Sequence, residues 1–106
     1  LSISAFAFAS NAVSLQIQQP IAEQIAYAIY KFVKENDISV YDEEKIEGLF
    51  RHIVVKVGIR SGEIMCILVI NGNKIPKEQE LIEMLVKRFN VKTVVKNINK
   101  KNKDNG

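Results

Sequence analysis

The sequence has little of the material from which metal sites and covalent active sites are built. Its 106 residues include one cysteine, Cys66, and one histidine, His52. A lone cysteine excludes an internal disulfide and any metal site made of several cysteines, and it is typical of a reducing, cytoplasmic setting. One histidine and one cysteine also fall short of the three or four ligands that a zinc site requires. We therefore predict that the chain holds no metal.

Long apolar runs and nucleotide-binding glycine motifs are also lacking. No apolar stretch approaches the ~20 residues that a membrane-spanning helix needs, so we expect no membrane partner. The 5 glycines form none of the patterns that hold nucleotide phosphates. Cys66 stands among apolar neighbours in a predicted strand, where a buried, inert thiol is the usual outcome. We predict no catalytic and no cofactor-binding residue in this chain.

Acidic residues are missing from one long stretch near the end. The formal net charge of +3 is mild, but no Asp or Glu lies between Glu83 and Asp104. That stretch holds seven basic residues, namely Lys87, Arg88, Lys92, Lys96, Lys100, Lys101 and Lys103. Such a block can attract a polyanion such as nucleic acid. The alternative is a solvated face with a charged tail.

Length and composition indicate a single domain, because 106 residues are too few for two ordinary ones. Residues 1–12 are small and apolar without a basic lead-in, and end in Ser10-Asn11-Ala12. We expect them to be either a remnant of tag removal or a disordered leader. Residues 13–99 are predicted to form one α+β domain, and residues 100–106 a flexible basic tail.

Apolar periodicity predicts the secondary structure between these ends. Helical spacing of apolar residues indicates helices at 20–36 and 76–89. Strands are expected at 49–59, 64–70 and 91–98, with a short extended piece at 38–41. The nearly continuous apolar run 64–70 predicts a central strand covered on both faces. The economical packing is an α+β fold in helix-strand-strand-helix-strand order. Both helices then lie on one face of a mostly antiparallel, three- or four-stranded, ferredoxin-like sheet.

The uncovered face of this sheet is expected to be basic. Depending on register, it would show Arg51 or His52, together with Lys56 and either Lys92 or Lys96. Such side chains can grip phosphates or stack on bases. The alternative is that Arg51 pairs with the acidic loop 42–47 and that His52 is merely exposed. Asn97 and Asn99, at the end of the final strand, either bond to RNA or shape the strand exit.

Several spaced motifs together resemble a known family. They are Tyr41-Asp42-Glu43, the run GLFRHIVVKVG at 48–58, SGEIM at 61–65, LVIN at 68–71 and Asn97-Ile98-Asn99 within VVKNINKK. Over roughly residues 13–101 the chain resembles the middle region of bacterial 23S rRNA (uracil-5-)-methyltransferases. One departure follows the last motif: the family continues there through a Thr-Asn pair, whereas this chain ends in Lys103-Asp104-Asn105-Gly106.

The resemblance implies a parent enzyme of three parts. A leading RNA-binding domain, often with an iron–sulfur cluster, precedes this region. A trailing Rossmann-like domain binds S-adenosylmethionine and carries the cysteine that adds to carbon 6 of uracil. Cys66 does not match that cysteine. The middle region is implied to be an RNA-contacting platform, with Arg51 and His52 on the family's Arg-His pair. Our candidates for RNA contact are Arg51, His52, Lys56, Lys92, Lys96, Asn97 and Asn99.

The function expected from these features is that of an RNA-contacting central domain without catalytic activity of its own. Its partners would be ribosomal RNA and the leading and catalytic domains of the parent, and the isolated chain could self-associate through surface that those domains cover. The first alternative is a structural or dimerising module without RNA contact. A second is a small acyl-phosphate hydrolase, for which Arg51 and Asn97 supply side chains but no glycine-rich loop is present.

Overall fold

The computed structural model describes residues 2–8 and 20–101. In this part of the chain the elements are β1 (Ser2–Ala7), α1 (Pro20–Glu35), β2 (Phe50–Val57), β3 (Ile64–Ile70), α2 (Glu78–Phe89) and β4 (Thr93–Ile98). The strands form one sheet in the order β1-β2-β3-β4. The first two pairings are antiparallel, and β3 and β4 are parallel because α2 carries the chain back between them.

The predicted α+β class is confirmed, with a mostly antiparallel sheet of four strands in the described residues. The succession β-α-β-β-α-β is that of ferredoxin-like domains, although here the strands lie in the sheet in chain order. No helix in the described residues is long and apolar enough to cross a membrane.

Helix α1 follows its prediction closely. Pro20 is its first residue, a position where the missing N–H of proline removes no helical hydrogen bond. Ile25, Ile29 and Val33 are fully buried and form the stripe that faces the sheet. The helix ends where Asp37 takes a φ of 53°, a left-handed conformation that Asp tolerates better than most residues.

Helix α2 is shorter and less buried than its pattern predicts. It begins at Glu78 rather than at residue 76, after Lys77 in a left-handed conformation with a φ of 56°. Leu81 and Leu85 are fully buried, but Val86 is 46% exposed. The apolar spacing that predicts α2 also places Val86 in its buried stripe, beside Leu81 and Leu85, and this prediction is wrong. Val86 lies ~100° further round the helix than Leu85. Only a narrow stripe of α2 therefore packs against the core.

Strands β2 and β4 are also shorter than predicted, whereas β3 has its predicted bounds. β2 ends at Val57, and Ile59, the last residue of the predicted strand 49–59, is 76% exposed in the turn that follows. The extended piece at 38–41 contributes only an isolated bridge from Val40 to Phe50. β4 begins at Thr93 rather than at residue 91. Strand ends are set by pairing with neighbours, which local periodicity does not encode.

Strand β3 is central, as predicted, but only one of its faces is covered by described residues. Ile64, Cys66, Leu68 and Ile70 are buried, while the alternating side chains are half-buried. An apolar run alone does not reveal whether both faces are covered. The prediction of two covered faces is therefore corrected.

The segment set aside as a leader contributes an element of the sheet. β1 pairs with β2 from Ser2 opposite Val57 to Ala7 opposite His52. Phe6 is 4% exposed, and the Phe8 ring lies 5.3 Å from that of Phe50. The expectation of disorder is thus corrected for residues 2–8, because their alternating apolar side chains enter the core. The origin of the segment and the boundaries 13–99 stay predictions. Residues 1, 9–19 and 102–106 lie outside the described residues.

Candidate nucleic-acid interface

The sheet face turned away from the helices, called here the open face, is built of three rows of side chains. Strand register defines the rows as Ile3, Lys56, Met65 and Thr93; Ala5, Val54, Ile67 and Val95; and Ala7, His52, Val69 and Asn97. The middle row is apolar throughout, and polar residues occur only in the two outer rows. The expectation of a basic open face is therefore corrected: the face is apolar at its centre and polar at both ends.

The register resolves the alternatives among the candidate residues. His52 and Lys56 lie on the open face and are half-buried, and Asn97 shares the row of His52. Lys96 pairs with Leu68 on the helix side of the sheet and forms an ion pair with Glu78 at 3.0 Å. Lys92 is exposed just before β4. RNA contact by any of these residues stays a prediction.

Arg51 makes contacts within the protein that connect separate segments at one end of the sheet. A bulge between Phe50 and His52 makes it the extra residue of β2. Its guanidinium carbon lies 4.5 Å from the centre of the Tyr41 ring, and its Nη1 donates to the Asn99 carbonyl oxygen at 2.9 Å. Its Nε is buried without a hydrogen-bond partner in the described chain. Arg51 and Asn99 thus join the segment before β2 to the end of β4.

The same end of the sheet carries a cleft of about 460 Å³, called here the acidic cleft. Asp42 shapes its wall, since its Oδ1 accepts hydrogen bonds from the backbone N–H groups of Glu44 at 2.9 Å and Lys45 at 3.2 Å. No ion pair joins Arg51 to these carboxylates among the described residues. The cleft is lined by Ala7, Phe8, Val40, Tyr41, Asp42, Glu43, Glu44, Arg51 and His52. Three carboxylates and one guanidinium thus belong to the lining, a balance of charge that disfavours a polyanion.

The opposite end of the sheet has the opposite charge. A cleft of about 360 Å³, called here the hairpin-end cleft, lies beside the turn between β2 and β3. Its lining consists of Lys56, Gly58, Ser61, Glu63, Ile64, Met65, Lys92 and Thr93. Two ammonium groups face one carboxylate, and none of the three forms an ion pair within the described residues. This is the end of the sheet that favours anions.

Asn71 is a structural residue that the sequence pattern missed, because Asn71-Gly72-Asn73 indicates only the end of a strand. Its Nδ2 donates to the Gly48 carbonyl oxygen at 3.1 Å, and its Oδ1 accepts from the backbone N–H of Lys101. Its own backbone N–H donates to the Leu49 carbonyl oxygen at 2.7 Å. Asn71, which follows β3, thus connects the residues just before β2 with those just after β4.

Replacing Asn71 with alanine should lower the free energy of unfolding by about 1–3 kcal/mol, because two side-chain hydrogen bonds are lost. Urea denaturation followed by circular dichroism measures the change. The matched control is Asn73→Ala, since Asn73 is exposed and no hydrogen bond of its side chain occurs in the described residues. Equal stability of the two variants would contradict this connecting role.

Cys66 is fully buried, and burial raises the pKa of its thiol from 9.0 to about 12. A neutral, buried thiol suits neither a catalytic nucleophile nor a cluster ligand. Among the described residues no group of three or more His, Cys, Asp and Glu side chains could hold a metal ion. The residues present therefore do not fit the iron–sulfur cluster that the resemblance implies for the parent.

The thiol of Cys66 should stay unreactive toward a disulfide reagent at pH 8 in the folded chain and react at once in denaturant. Between pH 9 and 12 the folded state keeps a proton that the unfolded state releases, so stability should fall as pH rises, by at most about 1.4 kcal/mol per pH unit. The measurement is the difference in urea stability between the unaltered chain and Cys66→Ala across this range. A stability difference that does not change with pH would contradict burial of the thiol in the folded chain.

Comparisons with known proteins identify relatives of this chain by sequence and a neighbour by fold. No protein-family model matches the chain. It is 45% identical over 84 residues to an uncharacterized RNA methyltransferase of Caldanaerobacter subterraneus subsp. tengcongensis, covering 78% of this chain and 19% of that protein. It is 36% identical over 86 residues to an uncharacterized RNA methyltransferase of Halalkalibacterium halodurans, covering 80% of this chain and 19% of the relative.

A solved structure shares the fold. The chain superposes with a TM-score of 0.60 and 20% identity on the tRNA (uracil-54, C5)-methyltransferase of Pyrococcus abyssi in complex with S-adenosyl-L-homocysteine. The match covers 74% of this chain and 23% of that one. The resemblance seen in the sequence motifs is confirmed at the level of RNA methyltransferases. The chain is similar to RNA methyltransferases over about four-fifths of its length and spans 19% of the length of the relatives described above, about one-fifth of each.

Proposed function

We propose that this chain is the RNA-contacting central domain of an S-adenosylmethionine-dependent uracil-5 methyltransferase that acts on 23S rRNA in the cytoplasm. The observation that carries the proposal is the 45% identity over 84 residues to an RNA methyltransferase of which the chain spans 19%. Under this proposal, the methyl donor and any iron–sulfur cluster bind to other parts of the parent protein, which also carry the reacting cysteine. The buried, protonated thiol of Cys66 supports that assignment.

The choice of uracil as the target base rests on two supports. The structural neighbour from Pyrococcus abyssi is named as a tRNA uracil-54 C5-methyltransferase, and its fold matches most of this chain. The motifs Arg51-His52 and Asn97-Ile98-Asn99 resemble those of the ribosomal RNA branch. In the structure His52 and Asn97 lie in one row of the open face, with Val69 between them.

The apolar middle row of the open face supports contact with the remaining domains of the parent. Val54 and Ile67 are half-buried, and Val95 remains 38% exposed in the described chain. Contiguous apolar surface of this kind marks an interaction site. The relatives are about four times as long as this chain, so their additional domains are the natural occupants. The leading and catalytic domains of the parent are therefore proposed as partners.

Two titrations test this function. Fluorescence anisotropy with a labelled, uridine-containing single strand of 23S rRNA should show weak binding. The affinity should fall steeply with salt, by about 0.7 in the logarithmic slope for each phosphate contact. Calorimetry with S-adenosylmethionine alone should show no heat of binding. Heat with the methyl donor, or no RNA binding at low salt, would contradict the proposal.

A second candidate is a structural or dimerising module without RNA contact. The observation in its favour is the same apolar middle row, which in the isolated chain could pair with a second copy. Light scattering over a concentration series separates the two candidates. A tight dimer that does not bind RNA supports the second, whereas a monomer with RNA affinity supports the first.

A further inference from the structure

We infer that the RNA backbone binds in the hairpin-end cleft, through Lys56 and Lys92, and not at the Arg51–His52 pair. The inference rests on the proposed RNA-contacting function and goes beyond it by assigning the phosphate-binding end of the sheet. The sequence resemblance favours the Arg-His pair, but the charges and contacts in the structure favour the other end.

The local charge differs between the two ends of the sheet. Around the Arg51–His52 pair, Asp42, Glu43 and Glu44 line the same cleft and outnumber the single guanidinium. In the hairpin-end cleft two lysines outnumber the lone carboxylate of Glu63. Phosphate contacts supply most of the non-specific affinity for nucleic acid, so the sign of the local charge decides where a strand is drawn.

The basic side chains at the two ends also differ in the protein partners that they already have. Arg51 is stacked on Tyr41 and bonded to the Asn99 carbonyl, so a phosphate would have to compete with both contacts. Lys96 is occupied by Glu78 on the helix side. No ion pair or side-chain hydrogen bond of Lys56 or Lys92 occurs among residues 2–8 and 20–101. These two ammonium groups can therefore meet a phosphate without losing a protein partner.

Strand pairing sets the geometry of the hairpin-end cleft. Lys56, Met65 and Thr93 are neighbours across three strands, which places the backbones of Lys56 and Thr93 about 10 Å apart. The backbone N–H of Lys92 donates to the Ile64 carbonyl oxygen at 2.8 Å and fixes the base of that side chain. The cleft thus presents cations from two sides of β3.

Hydroxyl groups complete the cleft. Thr93 contributes one from the start of β4. The Ser61 Oγ accepts a hydrogen bond from the Glu63 backbone N–H at 3.2 Å, which leaves its hydroxyl hydrogen free for a phosphate oxygen. Lysine and hydroxyl side chains are common donors to phosphates, and such contacts position a strand without reading its sequence.

The test compares two double variants of the 106-residue chain that remove the same charge. K56Q/K92Q changes the hairpin-end cleft. K31Q/K74Q is the matched control, since Lys31 lies on the exposed side of α1 and Lys74 in the loop at the other end of β3. In anisotropy titrations at low salt, K56Q/K92Q should bind RNA roughly tenfold more weakly, with the logarithmic salt slope reduced by about 1.4. The control should stay within about twofold of the unaltered chain.

An NMR titration of the unaltered chain with the same RNA gives a second measurement that does not depend on any variant folding. The largest shift changes should fall on the amides around Lys56, Ser61 and Lys92. Larger changes confined to Tyr41, Asp42 and His52 would overturn the assignment.

The possible results separate this inference from the proposed function. Equal losses in both double variants, or a larger loss in His52→Gln than in K56Q/K92Q, would place the phosphates elsewhere while leaving RNA contact intact. Absence of RNA binding by the unaltered chain would remove the proposed function itself, and the inference with it.

Discussion

Replacing Gly48 with alanine should lower the free energy of unfolding by about 3 kcal/mol or more, a large part of the stability of a domain of this size. Gly48 has a φ of 112°, a conformation that residues with a Cβ atom rarely adopt. A Cβ at this position would lie 2.1 Å from the Val40 carbonyl oxygen and 2.6 Å from the Val40 carbonyl carbon. Strain and collision therefore act together.

The neighbouring backbone has little freedom to relieve this collision. Tyr41 donates to the Phe50 carbonyl oxygen at 2.8 Å, and Phe50 donates to the Ser39 carbonyl oxygen at 3.0 Å. These bonds fix the segment around Val40 against the start of β2. Moving it would also disturb Phe50, which is fully buried.

The matched control for Gly48→Ala is Gly62→Ala, measured by urea denaturation. Gly62 also has a positive φ, of 71°, but no atom lies within 4 Å of the position its Cβ would take. It should lose only about 1–2 kcal/mol from its left-handed conformation. If the two variants were equally stable, the close approach of Gly48 to Val40 would have no energetic consequence.

Replacing Phe6 with alanine should lower the free energy of unfolding by about 3–5 kcal/mol, the usual range for a buried phenylalanine. Phe6 is 4% exposed and belongs to the same core as Phe50 and Ile53. The loss combines the missing apolar burial with the cavity left behind. Thermal and urea unfolding of the variant measure it.

The control for this second prediction lies on the same strand. Ile3 is 53% exposed, so Ile3→Ala should cost less than about 1 kcal/mol. A large difference between Phe6→Ala and Ile3→Ala would show that β1 adds to stability through its inward side chains. Two unchanged unfolding midpoints would mean that the segment adds nothing to the fold in solution.

The parts of the fold that sequence could predict are those fixed by local spacing. The stripe of Ile25, Ile29 and Val33 defines α1 because helical periodicity is a property of neighbouring residues alone. The run 64–70 defines β3 to the residue for the same reason. The exposure of Val86 could not be predicted, because it depends on how α2 is tilted against the sheet.

The candidate site was less predictable, since it depends on register between distant segments. Alternation along β2 places Arg51 and His52 on opposite faces, but the bulge between Phe50 and His52 breaks that alternation. The stacking of Arg51 on Tyr41 and its bond to Asn99 join residues far apart in the chain. The separation of acidic and basic charge to opposite ends of the sheet likewise emerges only once the strands are paired.

The position of β4 in the sheet has a consequence for handling the chain. β4 is the last strand in the sheet order, so its outer row of backbone N–H and C=O groups faces no further strand in the described residues. Unpaired strand borders of this kind are templates for pairing with another molecule. Its six residues include one charged side chain, Lys96, which is turned toward Glu78. Concentrated solutions should therefore tend to aggregate along this border.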